Sequence, residues 1–410
     1  MDIRHVARVI ALISWVKFGV DTASQEDTHR LLNTLFHNYS VFIRPTHDQD
    51  MPISVNVVLV MEQMQSLDMK TETMKSLGFF SITWMDEFLV WTPEEYGDVE
   101  YITYAANMIW TPDYVIDNDV SVKKRMGDDK SLVLIKSNGK VIWEPGYVAS
   151  TTCNVDITYF PFDTQVCSIN ILSLMTTNVH QLTTSTTGVS LHEYIQNGEF
   201  HLITGWVNST SHPMTDIENE TLEGLDFCIV LKRKTTFFWL CLVSPLLVFP
   251  LLSPLSFLVP ADSGEKTTLA ITSLLSVFVF MSSIYDTLPK LSNHVSRFVL
   301  LASIQSFISF LSVVGNVIIL SIHRLPPEHR VPRWMTGLAA KRQDLAPERM
   351  KSNEESELFN KSDMSTRGKG RENVPLTWPV VAEFLNTICF VVFLLAVILV
   401  TVIFGVLMSF

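Results

Sequence analysis

The sequence predicts an α+β membrane protein in which an extracellular β-sandwich precedes a four-helix transmembrane domain. Three observations carry that prediction. Four uncharged, strongly apolar runs, 235–261, 267–285, 298–322 and 384–410, all fall in the second half of the 410-residue chain. Each reaches the roughly 18–20 residues that cross a bilayer as a helix. The first half instead alternates apolar and polar residues in short runs between turn signals, the period of half-buried strands. Charge is also divided: residues 24–234 hold 13 Lys and Arg against 28 Asp and Glu, whereas 323–410 holds 11 against 9. A mean hydropathy of +0.25 excludes a purely soluble protein. An acidic domain concentrates cations around itself, and nucleic acid, which needs a basic face, is not an expected partner.

Taken in chain order, residues 1–23 read as a secretory signal peptide. Arg4 and Arg8 precede an apolar stretch from Val9 to Val20 that Lys17 interrupts, and small residues follow at Ala23 and Ser24. The segment 25–36 has helical spacing through Leu31, Leu32, Leu35 and Phe36 and is expected to cap the sandwich. Strand periodicity marks 53–61, with shorter runs at 79–83, 132–136 and 226–232, and Ser137-Asn138-Gly139 is a turn signal. The sandwich domain is placed at 24–234 and the first three membrane helices at 235–322. A cytoplasmic loop follows over 323–383, then the fourth helix over 384–410. The 11 basic residues of 323–383 fix that loop inside, by the positive-inside rule, so both termini are expected outside. Glycosylation acceptors then fall on the outer side at Asn38, Asn208 and Asn219, whereas Asn360 lies inside. Pro245, Pro250 and Pro254 predict a kinked first helix. Composition makes 341–370 largely disordered, with room for one helix before Trp378.

The five cysteines divide by compartment. Cys153 and Cys167 are the pair well inside the oxidising domain, and closing so short a loop contributes about 3 kcal/mol in the chain-entropy picture. Cys228, Cys241 and Cys389 are read as buried free thiols.

The second apolar run carries the most chemistry. Glu265, Thr268, Thr272, Leu275, Val279, Ser282 and Asp286 follow alternating steps of three and four, one stripe on a helix with a 3.5-residue repeat. The positions between them, such as Leu269, Ile271, Val277 and Phe278, are apolar. Hydroxyls also occur in plain interhelical seams, but carboxylates at both ends point to a surface facing water. One helix cannot enclose water, so several copies must surround an axis. Lys266 lies off the stripe. Gly264-Glu265-Lys266-Thr267 lacks the glycines of a phosphate-binding loop. Neither a catalytic constellation nor metal-ligand spacing occurs, so neither enzymatic activity nor a cofactor is expected.

The stretch Tyr159-Phe160-Pro161-Phe162-Asp163 between Cys153 and Cys167 resembles the signature of the Cys-loop pentameric ligand-gated ion channels. Trp84-x-Asp86-x-x-Leu89-x-Trp91-x-Pro93 and Trp110-x-Pro112-Asp113 are similar to the sandwich motifs of its nicotinic branch. Asp262-Ser263-Gly264-Glu265-Lys266 resembles that branch's approach to the second span, and His323-Arg324 with Pro332-x-Trp334 its exit from the third. The resemblance implies five subunits around a pore, hence four further identical or homologous subunits per copy, in the plasma membrane. Glu265 and Asp286 then become carboxylate rings at the cytosolic and outer mouths. Thr268 and Thr272 replace part of an ion's hydration shell, and Leu275 and Val279 form a hydrophobic gate. Anion-selective relatives carry a Pro-Ala insertion and lack the acid. Here the acid is retained without an insertion beside it, which implies passage of monovalent cations, with calcium a further candidate.

The same resemblance places an agonist box of aromatic side chains at subunit interfaces. Counting from the motifs puts Asp117 seven residues after Trp110, Leu174 seven after Cys167 and Phe79 five before Trp84. Phe79 alone keeps an aromatic, and 207–225 contains no Tyr, Phe or Trp. The pocket is expected at these positions, with a small extracellular ligand that is not acetylcholine in a standard aromatic box. Arg233, the Phe160-Pro161-Phe162 tip and Pro289 resemble the family's coupling elements between sandwich and membrane domain. Each also has a local reading, Arg233 as an interfacial anchor and Pro289 as a helix stop. The sequence therefore predicts a cation-channel subunit, with a non-conducting binding or accessory subunit as the alternative.

Overall fold

The computed structural model describes residues 24–121, 123–128, 130–177, 179–184, 188–214, 220–290, 295–326, 331 and 377–409. The expected signal peptide and Asn219 lie outside these residues, as do Asn360, almost all of the 323–383 loop beyond residue 326, and any helix before Trp378. The chain divides into two units, one of residues 1–155 and 164–234, the other of 156–163 and 235–410.

The first unit opens with helix α1, Gln25–Phe36, whose Ser24 side chain caps the Asp27 N–H. Leu31 is fully buried and Phe36 stacks on Tyr104 with centroids 4.1 Å apart, so α1 covers one end of the sandwich. The first sheet has eight strands. These are β1 (Ile53–Asp68), β2 (Thr73–Val90), β3 (Tyr101–Ala105), β5 (Leu132–Lys136), β6 (Asn138–Trp143), β7 (Gly146–Thr152), β9 (His180–Thr183) and β10 (Val189–Ser190). The second sheet runs β11-β12-β8-β4, where β4 is Tyr114–Ile116, β8 Thr164–Thr176, β11 Phe200–Pro213 and β12 Thr221–Arg233. Alternation decides which side faces in: Val55, Val57, Leu59 and Met61 on β1 are fully buried, as are Ile229 and Leu231 on β12. Burying such a side chain contributes about 1.5–3 kcal/mol, so this face fixes the register.

Three strands outgrow their sequence signals, β1 running past the expected 53–61 to Asp68. The expected run 79–83 is the middle of β2, because Gly78 interrupts its alternation. A Cβ at Gly78 would sit 2.2 Å from the Val60 carbonyl oxygen, beside the irregularity in β1 between Met61 and Gln63. The expected 226–232 is likewise the end of β12. Cys153 and Cys167 are disulfide-bonded, with Cα atoms 4.9 Å apart. The other three cysteines are free, but the expectation that they are buried fails. Cys241 is exposed on its helix, and Cys228 and Cys389 are half-buried.

Among the described residues of the second unit, four helices are long and apolar enough to cross a membrane: α2 (Thr236–Leu258), α3 (Glu265–Thr287), α4 (Arg297–His323) and α5 (Trp378–Ser409). Helix α2 is irregular where its prolines fall. A π-helical turn over Trp239–Val243 precedes Pro245, Pro250 and Pro254 lie inside the next segment, and a 3-10 turn closes it at Ser256–Leu258. Helix α5 begins six residues earlier than the uncharged run, because Glu383 is exposed and costs the helix nothing. Ser253 and Ser273 lie 3.3 Å apart, and Asn316 donates to Ser256 at 2.7 Å, so two pairs of buried polar side chains link helices of the bundle.

Candidate functional site

Three groups of residues bear on function. The first is the stripe on α3. Glu265, Thr268, Thr272, Leu275, Val279, Ser282 and Asp286 are all exposed, whereas Lys266, Ala270, Ser273, Val277, Met281 and Ile284 are buried. The helix therefore turns its back on the other three spans and leaves the stripe unpartnered, over ~30 Å between its two carboxylates at 1.5 Å per residue. Among the described residues neither Glu265 nor Asp286 has an ion-pair partner. Thr272 returns its hydroxyl to the Leu269 carbonyl at 3.0 Å, which keeps a lone pair outward. Leu275 and Val279 are 59% and 61% exposed. Lys266, 1% exposed, donates to Asn386 on α5 and faces the Phe257 ring at 5.6 Å. Its charge points away from the stripe.

The second group is the expected ligand position. Asp117 and Leu174 share the second sheet but sit at opposite ends of the β4–β8 pairing, Asp117 opposite Asn170 and Leu174 opposite Asp113. Phe79 is on β2 in the first sheet, half-buried, opposite Val60 and Gly146. One chain therefore presents these residues on two different surfaces. Asp117 is not a free carboxylate: Lys123 holds it at 2.5 Å, and its N–H donates to the Asn170 carbonyl at 2.7 Å. Beside it, burial raises the Asp226 pKa and the Asp117 charge adds to that, with His212 opposing. Leu174 is 44% exposed. Sequence reasoning missed Lys123, six residues beyond Asp117, and His212 and Asp226, which lie on β11 and β12 and approach Asp117 through strand pairing. It also passed over Trp206, half-exposed on β11, one residue outside the segment searched for aromatics.

The third group is the expected coupling set. Arg233 is buried in the first unit, ion-paired with Glu199, with its guanidinium 4.5 Å over the Phe200 ring and 3.2 Å from the Met69 sulfur. That environment does not suit an exposed interfacial anchor. Phe160 is 1% exposed, edge-on to Phe238 at 5.4 Å and to Phe298 at 6.1 Å. The Phe160–Pro161 peptide bond is cis, and Phe162 lies edge-on to Trp239 at 6.4 Å. Pro289 is buried just after α3 ends, where the Leu288 N–H returns to the Ile284 carbonyl. Of the glycosylation acceptors, Asn38 and Asn208 are exposed. Among the described residues no group of three or more His, Cys, Asp or Glu could hold a metal ion.

Residues 28–235 match the family model for the neurotransmitter-gated ion-channel ligand binding domain, and 242–373 match that for the neurotransmitter-gated ion-channel transmembrane region. The human neuronal acetylcholine receptor subunit alpha-6 is 31% identical over 353 residues, 84% of this chain and 68% of that protein. The human subunit alpha-3 is 30% identical over 335 residues, 80% of this chain and 65% of its own length. The subunit alpha-9-I of Oncorhynchus mykiss is 27% identical over 343 residues, 80% and 58% respectively. The chain thus spans about two thirds or less of the length of several relatives that it matches.

Proposed function

We infer the function from one premise: the chain belongs to the Cys-loop, neurotransmitter-gated ion-channel family, in its nicotinic-receptor-like branch. On that premise it is a multi-pass plasma-membrane channel subunit with its sandwich outside. It assembles with four identical or homologous subunits and passes cations when an extracellular ligand binds. The observation that carries this reading is the exposed stripe of α3, with acids at both ends, hydroxyls between and Leu275 and Val279 near the middle. Five copies around an axis give two carboxylate rings that attract cations and a hydrophobic constriction that closes by dewetting. Ligand binding reaches the pore through Phe160, Pro161, Phe162, Arg233 and Pro289 in this reading.

The ligand differs from the acetylcholine of the relatives' names. Cation–π recognition needs aromatic faces, and two of the three counted positions hold Asp117, occupied by Lys123, and Leu174. Those same two residues favour a second reading, an accessory subunit whose agonist surface comes from a partner. Expression of the full chain alone in oocytes, with a broad ligand and pH screen, separates the two. Evoked current from the chain alone supports the first reading. Surface protein that stays silent until a homologous subunit is co-expressed supports the second.

A further inference from the structure

Arg297, the first residue of α4, reaches three segments at once. Its N–H donates to the Thr158 carbonyl at 3.1 Å. One guanidinium nitrogen donates to the Leu407 carbonyl at 2.6 Å, and the other to the Tyr159 hydroxyl at 3.1 Å. The guanidinium carbon also lies 4.2 Å from the centroid of the Tyr159 ring. No carboxylate among the described residues pairs with it. An aromatic layer runs parallel to this contact, with Phe298 between Phe160 and Phe404 at 6.1 and 6.4 Å.

The chemistry explains why an arginine stands there. The last four carbonyls of a helix have no intrahelical donor, and Leu407 lies in the last turn of α5. A cation at that end also meets the negative pole of the helix dipole. A planar guanidinium donates from two nitrogens in fixed directions while stacking on a ring, which an ammonium does not do. Helix α5 needs such an anchor most, since its apolar window is 11% buried against 28–39% for the other three spans.

We propose that Arg297 is a positioning residue that ties the 156–163 loop tip to the outer end of the fourth span, so that a displacement of one is delivered to the other. This deepens the coupling role read for Phe160–Phe162 and rests on that reading for its functional meaning, but the tie itself is measurable without current or agonist.

The test is hydrogen–deuterium exchange of the full chain in lipid nanodiscs. Arg297→Gln is expected to raise exchange about tenfold or more in both 156–163 and 400–408, the scale of one lost charged hydrogen bond, while 300–320 is unchanged. Arg297→Lys keeps the charge beside Leu407 and should restore protection at 400–408 more than at 156–163. Where Arg297→Gln does not assemble, Tyr159→Leu removes the loop-side partner and should still loosen both segments. Unchanged exchange at 400–408 in these variants overturns the proposal, and so does an equal rise at 300–320, which would mean general loosening. Failure of the channel reading would appear as absent current with this exchange pattern intact.

Discussion

Asp86 is a carboxylate that the sandwich buries at a cost. It is fully buried on β2, accepting the Tyr39 hydroxyl at 2.7 Å and the Phe88 N–H at 3.0 Å, while Tyr39 in turn accepts the Trp110 N–H at 3.1 Å. Burial pushes the Asp86 pKa up to about 6, against the pull of its hydrogen bonds, and the neighbouring Glu87 adds to the rise. Tyr39 is raised for the same reason, burial first and the Asp86 charge second. The folded pKa of Asp86 lies above its unfolded value. Its contribution is therefore fully present below the unfolded pKa and lost as the pH rises through about 6. Each unit is worth 1.36 kcal/mol, so ~2–3 kcal/mol is at stake. Thermal unfolding of the full chain, followed by tryptophan fluorescence, should show Asp86→Asn flattening the pH dependence between 4 and 6.5. A slope identical to the parent's would show that Asp86 does not titrate there.

Two elements carry the link between sequence chemistry and assembly. The loop closed by Cys153 and Cys167 holds the buried Phe160 tip, and opening it removes ~3 kcal/mol of loop-closure stabilisation. The Cys153→Ser, Cys167→Ser double variant should be retained inside the cell, as measured by surface biotinylation; parent-like surface levels would remove the disulfide from the requirements of assembly. On α3, Leu275 and Val279 present apolar side chains to the unpartnered face. Leu275→Ser should wet that stretch and leave current flowing without ligand, read as a raised holding current that a pore blocker removes. A silent variant at normal surface density would place the constriction elsewhere. The stripe was legible in sequence because its 3.5-residue period survives in a helix whatever its neighbours are. The long β2 was not, because Gly78 serves a close approach to β1 that only strand pairing reveals.

At the scale of the whole molecule, legibility followed the range of the interactions. The four spans, the disulfide, α1 and the off-stripe direction of Lys266 were set by local composition or period, and the structure keeps them. The strand order depends on residues meeting across the sheets, and no local pattern encodes it. The same holds for the burial of Arg233 against Glu199. The ligand position stayed open for a related reason: Phe79 lies on one sheet and Asp117 and Leu174 on the other, placements that no local pattern relates. The central claim is that the exposed stripe lines a cation pore, and charge selectivity tests it most directly. On that claim, five carboxylates at Glu265 within a few ångströms of the axis would supply electrostatic terms on the order of several kcal/mol. Asp286, at the wider and better screened outer mouth, should alter conductance more than selectivity. The measurement is the bi-ionic reversal potential of Glu265→Ala and Asp286→Ala, in a Leu275→Ser background where no agonist is in hand. The account predicts that Glu265→Ala shifts the potential away from cation selectivity while Asp286→Ala leaves it nearly in place; an unchanged cation-to-anion permeability ratio in Glu265→Ala would contradict it.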